Sequence, residues 1–228
     1  MRKVMEPSFY YLYLLAIALI GGFLIVQGIR KKKLFWILGI ACVTLGLGDA
    51  FHLIPRAIGI YSETLDNPSE SLAFYLGIGK LITSITMTVF YALLYLYFRK
   101  TAIFSKNKVL DILVCVLFFA RIVLLCFPQN EWTTNGSPLD WGIYRNIPFT
   151  LLGAIFIVLC FIHLRDRRPY RLLYIAVTLS FLFYLPVVLF ASMASWVGML
   201  MLPKTICYLF VAGMFFLDAK KLEKPENE

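Results

Sequence analysis

Residues 34–56 read LFWILGIACVTLGLGDAFHLIPR. Positions 34–48 carry no charge at all, and then Asp49, His52 and Arg56 follow at i, i+3 and i+7. An apolar run of about 20 residues is what the hydrocarbon core of a bilayer requires of a helix. In a helix the three ionisable residues share one face. Ionisable groups at membrane depth are costly, so they pair with one another, line a polar cavity, or both.

The flanking sequence repeats the pattern. Together with 34–54, apolar blocks at about 8–29, 73–98, 109–127, 147–164, 172–194 and 197–217 make seven. Over 228 residues, 61% are hydrophobic and the mean hydropathy is +0.80. A soluble domain stays nearer half apolar. The expected fold is all-α: one seven-helix transmembrane domain over 1–228, ending in a short charged cytoplasmic tail at 218–228. The first block is too long for the core of a signal peptide and no small-residue cleavage site follows it, so it is read as a retained helix.

The net charge of +9 is distributed in a way that orients the chain. Fifteen of the 22 basic residues fall in four clusters, at 30–33, 99–108, 165–171 and 220–224. The alternate loops and the N-terminal tail hold only Arg2, Lys3, Arg56 and Arg145. The positive-inside rule then predicts a multi-pass protein of the plasma membrane, N-terminus outside and C-terminus in the cytoplasm. The basic clusters suit anionic membrane lipids. Nucleic acid is excluded as a partner, because no basic surface interleaves with aromatic stacking positions. The five cysteines show no ligand spacing and there are two histidines, so neither a metal site nor a cofactor is expected.

Three basic residues remain inside apolar blocks: Lys80, Arg121 and Lys204. At about 1.5 Å per residue, with this orientation, they lie about 9–10 Å below the outer surface and Asp49 about 8 Å below it. Four helices therefore place charge at one level. Two proline-led helix starts reinforce the outer side. In NPSE, Asn67 is the expected cap before Pro68, and in SPLD, Ser137 is the expected cap before Pro138. The second start carries Arg145 and Asn146 inward, with a kink or an interruption expected near Pro148. Lys80, Thr83, Ser84 and Thr88 form a polar stripe on the third helix, and Tyr208 lies one turn below Lys204.

The reading is an outward-facing cationic pocket. Arg56, Lys80, Ser84, Arg121, Arg145, Asn146, Lys204 and Tyr208 are its candidate ligand-binding residues, and Asp49 with His52 its candidate catalytic pair. Unpaired cations in low dielectric favour a bound anion, and the depth suits a phospholipid-like amphiphile. A small-anion transporter, a seven-helix sensor, and a purely structural network in which Asp49 pairs with Arg121 or Lys204 are the alternatives.

The segment LGLGDAFHLIPR and the helix after it resemble the lysoplasmalogenase family of polytopic membrane enzymes, through Gly48-Asp49 and Ile54-Pro55-Arg56. The resemblance implies hydrolysis of a phosphate-bearing lipid, with Asp49 as the carboxylate that activates water. The family's next helix carries a Ser-His pair where this chain has Thr83-Ser84-Ile85-Thr86, so the carry-over reaches Asp49 alone.

Overall fold

A computed structural model describes residues 2–30, 34–65, 67–134, 136, 138–190 and 195–221. Ser137, Lys31, Lys32, Lys33 and the tail from 222 lie outside the described residues. The chain forms α1 (Arg2–Arg30), α2 (Phe35–Tyr61), α3 (Glu70–Lys100), α4 (Lys108–Leu125), α5 (Leu139–Leu164), α6 (Leu173–Phe190) and α7 (Met201–Lys221). Short 3-10 turns at Pro128–Asn130 and Trp132–Thr134 follow α4, and others precede α6 and α7.

Among the described residues, six helices are long and apolar enough to cross a membrane. The bent pair Lys108–Leu125 with Pro128–Thr134, turned by 75°, is a seventh if it counts as one span. The chain is a multi-pass helical membrane protein.

Several helices overrun their apolar blocks. Helix α1 begins at Arg2 rather than 8 and α2 runs to Tyr61 rather than 54, while α5 begins at Leu139, next to the proline-led start expected at Pro138 and ahead of its apolar block at 147. Polar residues at those ends are tied to neighbouring helices, so helical hydrogen bonding continues past the hydrophobic signal. Helix α5 is continuous through Pro148, so the chain is not interrupted there. The cap of α3 is Ser69, whose Oγ accepts the Leu72 N–H, rather than Asn67. Asn107 caps α4 by accepting from the N–H groups of Val109 and Leu110.

Neighbours in sequence are neighbours in space, and α1 packs on α7 to close the ring, while α3 also reaches α5 and the turn at Trp132–Thr134. Tyr91 of α3 sits at the centre, 0% exposed, with its ring against Phe90, Phe149, Phe156 and Phe181. Its hydroxyl lies 3.2 Å from that of Tyr208. At the end of the bundle holding the 99–108 loop, Asp111 takes hydrogen bonds from Tyr95 and Arg99 and ties α3 to α4.

One close approach fixes the α2–α3 register. Pro55 has no N–H, so the Phe51 carbonyl one turn earlier loses its helical partner. Gly79 packs against that carbonyl: a Cβ at this position would stand 2.3 Å from the Phe51 oxygen and 2.9 Å from the His52 Cα. Both obstacles are backbone, so the helices themselves would have to separate. Gly79→Ala is expected to cost about 1–3 kcal/mol, read as a thermal midpoint in detergent lower by about 2–10 °C. An unchanged midpoint would show that the two helices are not seated this closely.

Candidate functional site

The contact at Gly79 brings His52 beside Lys80, and the other helices complete a cavity around them. The cavity has a volume of about 230 Å³. Its cationic lining comes from Arg56 of α2, Lys80 of α3, Arg121 of α4, Arg145 of α5 and Lys204 of α7. His52, Ser84 and Asn146 line it as well. Among the described residues no aspartate or glutamate does. Apolar surface from Met87, Phe149, Val187, Val188 and Met201 makes up much of the remaining wall.

Arg121 is 1% exposed and is held without a carboxylate. Its Nε donates to Thr88 Oγ1 at 2.9 Å, and its Nη1 donates to the Arg145 carbonyl at 2.6 Å and to Asn146 Oδ1 at 2.8 Å. Its guanidinium lies 4.1 Å from the centre of the Phe149 ring. These acceptors are neutral, so they orient the guanidinium and leave its charge in place. The alternative reading, in which Asp49 pairs directly with Arg121 or Lys204, finds no such ion pair: among the described residues no carboxylate lies within 4.0 Å of Arg121, Arg145 or Lys204.

Arg145 is fixed by the turn after α4. Its Nη1 donates to Asn130 Oδ1 at 2.8 Å, and its guanidinium lies 4.5 Å from the centre of the Trp132 ring. Asn130 Nδ2 donates to the carbonyls of Leu124 and Phe127, and Trp132 Nε1 donates to the Leu125 carbonyl. The bent end of α4 is therefore a rigid bracket for one cation. Lys204 sits between aromatic faces, its Nζ 4.8 Å from the Tyr184 ring centre and 5.6 Å from that of Tyr208. The Tyr184 hydroxyl donates to Asn146 Oδ1 at 2.6 Å, which joins the Lys204 and Arg121 halves of the lining.

Two expected members stand apart. Asp49 does not line the cavity. It is buried against α1, where its Oδ2 accepts the Tyr13 hydroxyl at 2.6 Å, and it lies near enough to Lys204 to act on it electrostatically. Tyr208 lies below the cavity, in the aromatic layer. Nor is Asp49 the acid nearest Arg56. That carboxylate is Glu6, 3.0 Å from Arg56 Nη2, with the Arg56 Nε also donating to Tyr10 at 2.9 Å. Arg56 is thus largely neutralised at the rim.

The polar stripe on α3 divides its work. The Thr83 hydroxyl donates to the Gly48 carbonyl and ties α3 to α2, while Ser84 donates to the Lys80 carbonyl from the cavity wall. Thr88 donates to the Ser84 carbonyl and accepts from Arg121. One turn deeper on α3 the packing is aromatic: Tyr91 lies against Phe156 and Phe181 and its hydroxyl meets that of Tyr208, all four buried. His52 Nδ1 is buried with no hydrogen-bond partner among the described residues.

Asn130, Trp132 and Tyr184 belong to the site, although nothing in the sequence marks them as such. Among the described residues no cluster of His, Cys, Asp or Glu could hold a metal ion. No family model, curated protein or solved structure matches this chain.

Proposed function

We propose that this protein binds an anionic amphiphile, with a phosphate-bearing head group, in the cavity between α2 and α7. One observation carries the reading: Arg121, Arg145 and Lys204, with no carboxylate within 4.0 Å among the described residues, reach from three helices into a space of about 230 Å³ that Lys80 and the Glu6-paired Arg56 also line. Desolvated positive charge at this density is relieved most simply by an anion. The apolar share of the wall, from Met87, Phe149, Val187, Val188 and Met201, suits the first carbons of a lipid-like ligand better than an inorganic ion. The volume lies below the range of about 300–1,000 Å³ usual for drug-sized ligands, which suits a head group rather than a whole lipid.

The proposal includes the topology: seven spans, N-terminus outside, in the plasma membrane, with the cavity facing outward. The buried aromatic layer beneath the cavity favours a dead-end binding pocket over a transport path. Hydrolysis with Asp49 as general base, as the lysoplasmalogenase resemblance would have it, has less support, because the Asp49 carboxylate is engaged by Tyr13 and does not line the cavity.

The test is a titration of the detergent-solubilised protein with a short-chain lysophosphatidate and with the uncharged monoacylglycerol of equal chain length. Charge-assisted hydrogen bonds contribute about 1.5–3 kcal/mol each, so two of them make the phosphorylated ligand bind at least about 100-fold tighter. Equal affinity for the two would overturn the proposal.

A further inference from the structure

At the opposite end of the bundle, the loop between α5 and α6 and the end of α7 enclose a second space, of about 1110 Å³. Its rim carries Arg165, Arg168, Arg171, Lys220 and Lys221, against one acid, Asp166. Its floor is apolar: Leu172 and Leu217 are 55% and 53% exposed, and Ile175 is exposed with them.

The order of these residues along the helices is the informative part. Leu217 precedes Lys221 by four residues of α7 and so stands one turn away on the same face, while Ile175 of α6 follows Arg171 of the 3-10 turn that leads into that helix. A turn is about 5.4 Å of helix. In both cases the apolar member lies toward the middle of the bundle and the cation toward its end. The groove thus repeats the layering of a membrane leaflet, with charge at head-group level and hydrocarbon beneath.

Its frame is held in place. The Tyr170 hydroxyl donates to Asp218 Oδ2 at 2.8 Å, and Lys221 Nζ donates to the Arg168 carbonyl at 3.0 Å. Together they clamp the α5–α6 loop onto α7. Only Arg165 has a carboxylate partner, Asp166 at 3.3 Å, among the described residues. The remaining four cations stand beside an apolar floor that is exposed among the described residues.

We infer that this groove is a binding site for an anionic phospholipid carrying at least two phosphate charges, with the phosphates on the Arg168, Arg171 and Lys220 side and the acyl chains on Leu172, Ile175 and Leu217. The charge of the rim selects against zwitterionic lipids, and the exposed floor selects against a soluble anion of the same charge. A basic cluster beside membrane helices is the arrangement that holds such head groups. The site is separate from the central cavity and rests on different residues.

The protein is placed in nanodiscs of phosphatidylcholine containing a small fraction of cardiolipin or of singly charged phosphatidylglycerol, and the lipids retained on release are counted by native mass spectrometry. Wild type is expected to retain cardiolipin preferentially. The R168Q/R171Q/K220Q variant is expected to bind it about 100-fold more weakly. R171Q, a single change at an exposed side chain with no hydrogen bond among the described residues, is expected to lose about fivefold. Because R171Q touches no structural contact, it keeps the test decisive if the triple variant folds poorly. Cardiolipin retention equal to that of phosphatidylcholine, or unchanged in R171Q, would overturn the inference. So would displacement by inorganic pyrophosphate at concentrations where cardiolipin binds, since that would show a soluble-anion site.

Discussion

Replacing Arg121 with glutamine is expected to abolish the proposed anion binding, and replacing it with lysine to retain only part of it. Arg121 contributes the most deeply buried charge of the cavity, and its orientation is set by Thr88, the Arg145 carbonyl, Asn146 and the Phe149 ring. Truncating one member of a desolvated, hydrogen-bonded charge pair costs about 2–5 kcal/mol of affinity. That range spans losses from about 30-fold to several thousand-fold. Lysine keeps the charge and three donors, but they radiate from one nitrogen instead of a planar fork, so it does not match acceptors that Arg121 reaches from both Nε and Nη1; about a tenfold loss is expected. Glutamine also leaves acceptors unpaired, so the thermal midpoint of each variant is measured beside its affinity. Normal affinity in a folded R121Q would mean that the anion, if bound, sits elsewhere.

The second large effect concerns stability. Tyr13→Phe takes away the hydroxyl that donates to the Asp49 carboxylate and leaves that group buried against α1. Hydrogen bonds to charged groups contribute about 1.5–3 kcal/mol, and an orphaned buried charge costs at least as much. Asp49→Asn removes the charge while keeping an oxygen for Tyr13 to bond, so it costs less. The double variant is then expected to be nearer Asp49→Asn than to the sum of the two, a coupling that chemical denaturation of all four proteins measures. Ligand affinity in Asp49→Asn is expected to stay within about threefold of wild type, or to tighten, because a negative charge near Lys204 is gone. A folded Asp49→Asn that binds normally and loses a measured hydrolytic turnover would move Asp49 into a catalytic role.

The sequence makes the class of fold and most of the cavity legible for one physical reason. A bilayer penalises charge, so Lys80, Arg121 and Lys204 stand out within apolar blocks, and counting residues from the helix ends puts them at one depth. Their convergence on one cavity follows from that depth and from the ring of neighbouring helices.

What stayed hidden is what depends on partners. Glu6 precedes the first apolar block and reads as an exposed tail residue, yet α1 starts early enough to bring it to Arg56. Tyr13 looks like one more aromatic in an apolar run until its hydroxyl is placed against Asp49. Asn130 and Trp132 lie in what the sequence offers only as a loop, and their role comes from the bend at the end of α4. Asp49 is the most conspicuous residue of all, yet its carboxylate turns to Tyr13 of α1 and does not line the cavity, although it stays within electrostatic reach of Lys204.

The most direct measurement is native mass spectrometry of protein purified in mild detergent, followed by extraction and identification of whatever it carries, on wild type and on R121K. Wild type is expected to retain one phosphorylated amphiphile that R121K carries at much lower occupancy. A folded wild type that retains no anion, and takes up none of an added lysophosphatidate, would contradict the assignment of the cavity as an anion site.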